Sequence, residues 1–95
     1  MQVRFAHIAR DELMAACTWL DEQQPGLGDR LTDEVRQTIE RMQRMPLMYP
    51  IDHDDIRKAT LPRFPYTLRY AVLAELILIL AVSHHHREPD YWLDR

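Results

Sequence analysis

The segment of residues 61–86 constrains the fold most, because it holds the longest apolar run of the chain. Residues 76–82 (LILILAV) are apolar at every position, which is typical of a central strand that is covered on both faces. Just before them, residues 66–73 alternate, with Arg69 on the face opposite to the apolar side chains. Residues 74–75 separate the two patterns as a turn. The segment therefore predicts a β-meander with arginine on one face.

Shorter patterns predict the remaining strands and loops. Residues 2–7 (QVRFAH) and residues 56–61 (IRKATL) alternate as strands do. The two prolines of residues 62–65 indicate an edge, a bulge or a loop between strands. Residues 46–55, with two further prolines, are expected to form a loop. Residues 83–95 are expected to leave the sheet and to end in a short helical or irregular tail.

Two helices are predicted between the first strand and this loop. Residues 9–22 carry one apolar stripe, and their first turn would place Asp11 and Glu12 where the helix dipole favours anions. Residues 23–28 hold both glycines and one proline, which indicates a tight turn. A second amphipathic helix of about 18 residues follows and ends before Pro46. The two stripes consist of Leu13, Ala16, Cys17 and Leu20 and of Leu31, Val35, Ile39 and Met42.

These elements predict an α+β fold with the order β-α-α-β-β-β. A short connection favours an antiparallel helical hairpin, which would pack on one face of a small, twisted, antiparallel-rich sheet. The helices can cover only one face, so Arg69 or Arg63 is expected on the open one. A chain of 95 residues is expected to form a single domain over residues 1–95.

The composition indicates the class of protein and the cellular compartment in which it is expected. A hydrophobic content of 46% and a charged content of 28% fit a folded domain. The most apolar stretch, residues 70–82, contains Glu75 and falls short of the roughly 20 residues that a membrane-spanning helix needs. No basic region followed by an apolar core opens the chain, so no signal peptide is predicted. Cys17 is the single cysteine and is expected in the core. A reducing cytoplasm is therefore the expected location.

The charge pattern leaves two interpretations open. The net charge of −3 does not favour nucleic-acid binding, and no sequence-specific DNA binding by this chain alone is expected. Residues 56–74 nevertheless carry only basic charges, among them Arg57 and Lys58, the only lysine. These side chains either converge on a phosphate-sized patch or are solvated and paired with the aspartates of residues 52–55.

The parts of a ribonuclease site are present, although their spacing does not show that they meet. Cleavage that uses the 2′-hydroxyl needs a base, an acid and cations on the phosphate. His84 or His86 could serve as acid or base at neutral pH, and Tyr91 could donate a proton or stack on a base. The cations available for the phosphate are Arg63, Arg69 and Arg87.

The histidine run of residues 84–86 could supply ligands to a metal ion. On an extended chain His84 and His86 share one face and His85 faces away. Two histidines need further ligands, and nothing in the sequence sets the spacing of His53 or Asp90 to them. Histidines at the polar end of a strand are the simpler interpretation. We therefore predict no metal site and no cofactor.

With these residues in view, the chain resembles toxins of the RelE/ParE superfamily, which belong to bacterial type II toxin–antitoxin pairs. The similarity runs through almost the whole sequence in order. The PGLG turn, the RFPY stretch and the PDYW tail are similar to the ParE-like branch. The negative net charge and the single lysine differ from the ribosomal, RelE-like branch. The matching pieces are ELMAACTWLDEQ (12–23), QPGLGDRLTDEV (24–35), P-x-x-YP (46–50), IRKATLPRFPYTLRYAV (56–72), ILILAVSH (77–84) and HREPDYW (86–92).

The resemblance implies a growth-inhibiting toxin of the plasmid-stabilisation type that a cognate antitoxin neutralises. The antitoxin's disordered tail would fold onto the helices and the sheet, and we expect Trp19, with the helix-hairpin surface and a sheet edge, to supply apolar anchors. A ParE-like toxin would poison DNA gyrase by binding. The first alternative is a ribosome-dependent messenger-RNA endoribonuclease, with Arg63, Arg69 and Arg87 on phosphate and His84 and Tyr91 in proton transfer. The second is a non-toxic relative that only binds its antitoxin.

Overall fold

The computed structural model describes residues 1–86 and 91–93, and it has two helices beside a mixed sheet. The sheet has the strand order β1-β5-β4-β3-β2, in which β1 pairs with β5 in parallel and every other pairing is antiparallel. This confirms the predicted α+β fold and its antiparallel-rich sheet. The elements are β1 (Gln2–Phe5), α1 (His7–Gln23), α2 (Leu27–Arg44), β2 (Ile51–His53), β3 (Ile56–Thr60), β4 (Tyr66–Val72) and β5 (Leu76–His84).

The expected loop of residues 46–55 is wrong in part, because it contains the edge strand β2. Ile51 pairs with Arg57, and His53 pairs with Ile56. A strand of three residues is too short to show alternation, and it lies between Pro50 and Asp54, whose φ of 49° reverses the chain. The sequence therefore offered only turn signals at this position.

The boundaries of two other elements also differ from the prediction. Helix α1 begins at His7, so β1 ends at Phe5 and the acids Asp11 and Glu12 lie beyond the first helical turn. Strand β5 continues to His84, which pairs with Tyr66, whereas the predicted strand ended two residues earlier, at Val82. A register shift between β4 and β5, at Arg69 and Tyr70, also changes which residues of β5 face the helices.

The core lies between the helical hairpin and one face of the sheet, as predicted. The apolar stripes of both helices contribute buried residues, and alternate residues of β4 and β5 meet them. Among the described residues, no helix combines the length and the apolar character that crossing a membrane requires. Core side chains include Ala16 and Leu20 of α1, Leu31, Val35 and Met42 of α2, and Leu68, Tyr70, Ile77 and Ile79 of the sheet.

A carboxylate on α1 stabilises the PGLG turn by accepting backbone hydrogen bonds from it. Asp21 Oδ1 accepts the backbone N–H groups of Gly26 at 3.2 Å and of Gly28 at 2.9 Å, which caps the start of α2. Gly26 has a φ of 95°, a left-handed conformation that favours glycine. A Cβ on Gly28 would stand 2.8 Å from the carbonyl oxygen of Cys17, so the close approach of the helices favours glycine at this position.

We expect Asp21→Ala to lower the free energy of unfolding by about 1–2 kcal/mol, because it removes both acceptor contacts at the start of α2. Urea unfolding followed by circular dichroism measures this change. Glu22→Ala is the matched control, since Glu22 is an exposed acid at the next position of α1. Equal unfolding midpoints for the two variants would show that Asp21 does not act as a cap.

Candidate functional site

A groove of about 340 Å³ runs between α1 and the second half of β5. We call it the α1 groove. Its walls come from elements that are distant in sequence: α1, the start of β4, the end of β5 and the described tail residues. Apolar and aromatic side chains dominate it. Residues that line it include Ala15, Trp19, Tyr66, Val82, His84 and Tyr91.

Helix α1 has a second apolar stripe that the core does not use. This stripe consists of Ile8, Ala15 and Trp19, which are spaced seven and four residues apart and therefore lie on one helix face. Glu12 lies on the same face, four residues after Ile8. Ile8 is 52% exposed and Trp19 is 55% exposed, whereas Ala16 and Leu20 on the core stripe are buried. The structure thus places Trp19 outside the core and on the groove. Large apolar side chains aligned on an exposed face mark a surface for a partner.

Glu12 joins α1 to both the sheet and the tail. Its Oε1 accepts the backbone N–H of Val82 at 3.0 Å, and its Oε2 accepts the Tyr91 hydroxyl at 2.5 Å. Strand β1 pairs only with the first half of β5, so the carboxylate occupies the position of a strand neighbour further along. Sequence reasoning missed this role. The contacts join residues 70 and 79 positions apart, and an acid on a helix carries no signal of either partner.

His84 forms the polar end of the α1 groove. Its ring makes an edge contact with Tyr66 at a centroid distance of 5.0 Å, and its Nδ1 accepts the backbone N–H of His86. Burial lowers the pKa of His84 below its ordinary value of 6.5, and the neighbouring His86 and His85 lower it further. The imidazole is therefore uncharged at neutral pH, which suits an aromatic, apolar neighbourhood more than an anion site.

Arg69 lies on the opposite face of the sheet, within a network of contacts. Its Nε donates to Asp52 Oδ2 at 2.9 Å, its Nη1 donates to the Ser83 hydroxyl, and its guanidinium lies 5.0 Å from the ring centre of Trp92. Lys58 Nζ adds a longer contact of 3.7 Å to Asp52. The arginine side chain is only 17% exposed. Its charge is therefore already paired with a carboxylate inside the protein.

This network of contacts changes the pKa of Asp52. Burial alone would raise the pKa of Asp52. The hydrogen bond and the charge of Arg69, with a smaller contribution from Lys58, outweigh burial and lower the pKa below its ordinary value of 3.8. Asp52 belongs to β2, the strand that the sequence did not reveal. The sequence nevertheless offered this pairing as one of two interpretations, in which the basic side chains pair with the aspartates of residues 52–55, and the structure shows it for Arg69 and Lys58 with Asp52.

The candidate ribonuclease residues occupy three separate places. His84 and Tyr91 share the α1 groove, while Arg69 lies on the other face of the sheet. Arg63 lines a second groove, beside α2. Arg87 lies outside the described residues. Among the residues that the structure describes, Arg63 and Arg69 therefore do not meet His84 and Tyr91 in one pocket.

The histidine run has the predicted alternation. The rings of His84 and His86 make an edge contact at a centroid distance of 4.8 Å, and His85 faces away, with its Nε2 3.1 Å from the Thr67 hydroxyl. Within residues 1–86 and 91–93, no group of three or more histidine, cysteine, aspartate or glutamate side chains has the arrangement to hold a metal ion. These histidines instead complete the end of the sheet.

Comparison with known proteins identifies the class. The family model of the ParE toxin of the type II toxin–antitoxin system parDE matches residues 3–89, and the chain belongs to this family. The fold is similar to that of a solved structure described as the chromosomal ParDE TA system from P. aeruginosa, with a TM-score of 0.77 and 18% identity over 88% of this chain and 95% of that chain. No curated protein matches the sequence. The predicted resemblance to the ParE-like branch of the RelE/ParE superfamily is thereby confirmed.

Proposed function

We propose that this toxin binds the apolar tail of a cognate antitoxin in the α1 groove and that it acts in the cytoplasm by binding DNA gyrase. The exposed stripe of Ile8, Ala15 and Trp19 carries the antitoxin part of this proposal. Membership in the ParE toxin family supports an antitoxin partner, and so does the similarity of the fold to a P. aeruginosa ParDE system. An amphipathic segment that lies along a helix face buries such a stripe efficiently.

The separation of the candidate catalytic residues favours binding over RNA cleavage. A general acid or base has to lie within hydrogen-bond reach of the reacting group, with cations on the same phosphate. Arg69 is paired with Asp52 on the far face of the sheet, and the pKa of His84 is lowered by burial. Neither feature favours a site in which these two groups act on one phosphate. DNA gyrase, the target implied by the resemblance to ParE-like toxins, requires no such site.

Controlled expression in bacteria tests the target. We expect growth arrest, loss of gyrase supercoiling activity in the presence of the purified toxin, and rescue of growth by the antitoxin encoded beside it. Primer extension on ribosome-bound messages is the matched assay and should show no toxin-dependent cleavage. Cleavage with intact supercoiling would instead establish the ribonuclease alternative. Soluble protein without growth arrest would favour the non-toxic, antitoxin-binding alternative.

A further inference from the structure

The segment between α2 and β2 exposes more large apolar side chains than any other stretch of similar length that the structure describes. Residues 45–51 (MPLMYPI) contain no charged side chain. Leu47 is 66% exposed, and Ile51, on the edge strand β2, is 56% exposed. Exposed apolar groups that lie together mark a surface for a protein partner, and methionine is enriched at such interfaces. We call the side chains of Met45, Leu47, Met48 and Ile51 the loop surface.

The backbone beneath the loop surface is held by two side chains of the sheet. Tyr70, which is buried in the core, donates its hydroxyl to the carbonyl oxygen of Pro46 at 2.8 Å. Burial raises the pKa of Tyr70 to about 12, so the hydroxyl is a donor at neutral pH. Arg57 Nη1 donates to the carbonyl oxygens of Leu47 at 3.0 Å and of Tyr49 at 2.7 Å. A segment ordered in this way loses little conformational entropy when a partner binds it.

The loop surface lies away from the α1 groove. Tyr70 belongs to β4, Arg57 to β3 and Ile51 to β2, so the segment crosses the sheet from β4 to its edge. The α1 groove is built around α1 and the second half of β5, and β5 is three places from β2 in the strand order. A partner segment confined to the α1 groove therefore leaves the loop surface uncovered.

Charges of opposite sign bound the two ends of the loop surface. Arg41 and Arg44 lie in the last turn of α2, directly before it, and Asp54 and Asp55 lie in the turn after β2. The crossing from β4 to β2 separates these ends by about 10 Å, since neighbouring strands lie about 5 Å apart. Arg44 and Asp55 are exposed, and within residues 1–86 and 91–93 neither has an ion-pair partner.

This charge arrangement fits a second copy of the chain better than a partner of one charge sign. A wholly acidic or wholly basic partner would meet a like charge at one end of the loop surface. A second copy turned by a two-fold axis brings each arginine end against an aspartate end, and every such contact occurs twice.

We propose that this chain forms a homodimer through the loop surface, with the arginine end of each copy facing the aspartate end of the other. The apolar side chains of the two loop surfaces would bury one another between these charged ends. The second copy would also shield β2, which is the last strand of the described sheet and has no neighbour on its outer side.

Sedimentation equilibrium of the purified toxin tests the inference. We expect the mass to rise from 11.4 kDa toward twice that value between about 1 μM and about 1 mM protein. Leu47→Asp should raise the Kd of the dimer by about tenfold or more, because it places two unpaired charges in the interface. Met14→Asp is the matched control, since Met14 is 62% exposed on α1, outside the loop surface. A wild-type protein that stays monomeric, or equal effects of the two variants, would overturn the inference.

Charge reversal tests the orientation of the two copies. Arg44→Glu and Asp55→Arg should each raise the dimer Kd by about tenfold, because two like-charged contacts replace two of opposite sign. The double variant recreates both contacts with the signs exchanged, so its Kd should return close to that of the wild type. Additive losses in the double variant would contradict the inference, because the two charges would then not face each other.

Unfolding separates loss of the interface from loss of the fold. All four substituted side chains are exposed, so urea midpoints should match the wild type at a concentration where the wild type is monomeric. If Leu47→Asp lowers the midpoint, recovery of the dimer in the charge-reversed double variant decides instead. A monomeric wild type whose antitoxin binding or gyrase inhibition is weakened by Leu47→Asp would assign the loop surface to that partner and refute the homodimer.

Discussion

Trp19→Ala is expected to weaken antitoxin binding by about 2 kcal/mol, which is roughly a 30-fold increase in Kd. The indole is 55% exposed in the free protein and lies on the α1 groove beside Tyr66 and His84. A partner helix laid along Ile8, Ala15 and Trp19 would bury most of this exposed area. The expected loss follows from the large apolar surface of tryptophan, which is enriched among the residues that dominate binding energy at interfaces.

Met14→Ala is the matched control for this prediction. Met14 is a large apolar residue of the same helix and is 62% exposed, but its position falls outside the stripe of Ile8, Ala15 and Trp19. We expect the affinity of Met14→Ala for the antitoxin to equal that of the wild type, and both variants to keep the wild-type unfolding midpoint. Calorimetric titration with the purified antitoxin measures the affinities. Identical affinities for Trp19→Ala and Met14→Ala would remove Trp19 from the interface.

The helices and the long strands could be predicted because each carries its own pattern. The stripes of α1 and α2 and the alternation of β4 are local periodicities, and the buried apolar side chains of these elements fall mostly on them. Trp19 was expected as an apolar anchor for the antitoxin, but as the neighbour of Leu20 in the core stripe it could equally have been a core residue. The structure decides for the surface, where a second stripe becomes visible.

No local sequence pattern predicts the contacts that define the candidate site. The Glu12 carboxylate meets Val82 and Tyr91 only after the chain has folded, and Asp52 meets Arg69 through a strand of three residues. Glu12 does not differ in sequence from a solvated surface residue, and the pairing of basic side chains with the aspartates of residues 52–55 was only one of two interpretations of the charge pattern. Long-range contacts of this kind depend on the register of the sheet, including the register shift between β4 and β5. No periodic pattern in a single sequence predicts that register.

Arg69→Met is expected to lower the free energy of unfolding by roughly 2–3 kcal/mol at neutral pH. Methionine preserves much of the volume beneath Trp92 but removes the partner of Asp52, so that a largely buried carboxylate loses its nearest cation. The expected loss lies below that of a fully buried pair, because both side chains retain some exposure and Lys58 remains near. Urea unfolding at pH 7 measures it. In the double variant with Asp52→Asn, most of the stability should return, since the uncompensated charge is gone.

The pH dependence distinguishes charge from packing at this position. The folded-state pKa of Asp52 is lowered below 3.8, so its ion pair contributes fully above that pH and is lost as the pH falls through the folded value. The stability difference between wild type and Arg69→Met should therefore shrink on acidification below about pH 4. A difference that stays constant with pH would assign the loss to packing against Trp92.

If Arg69→Met abolished toxicity while keeping full stability at neutral pH, the arginine would act on a target instead, and the ribonuclease alternative would gain support. Because its guanidinium is held by Asp52 and Ser83, we expect the loss to appear in stability.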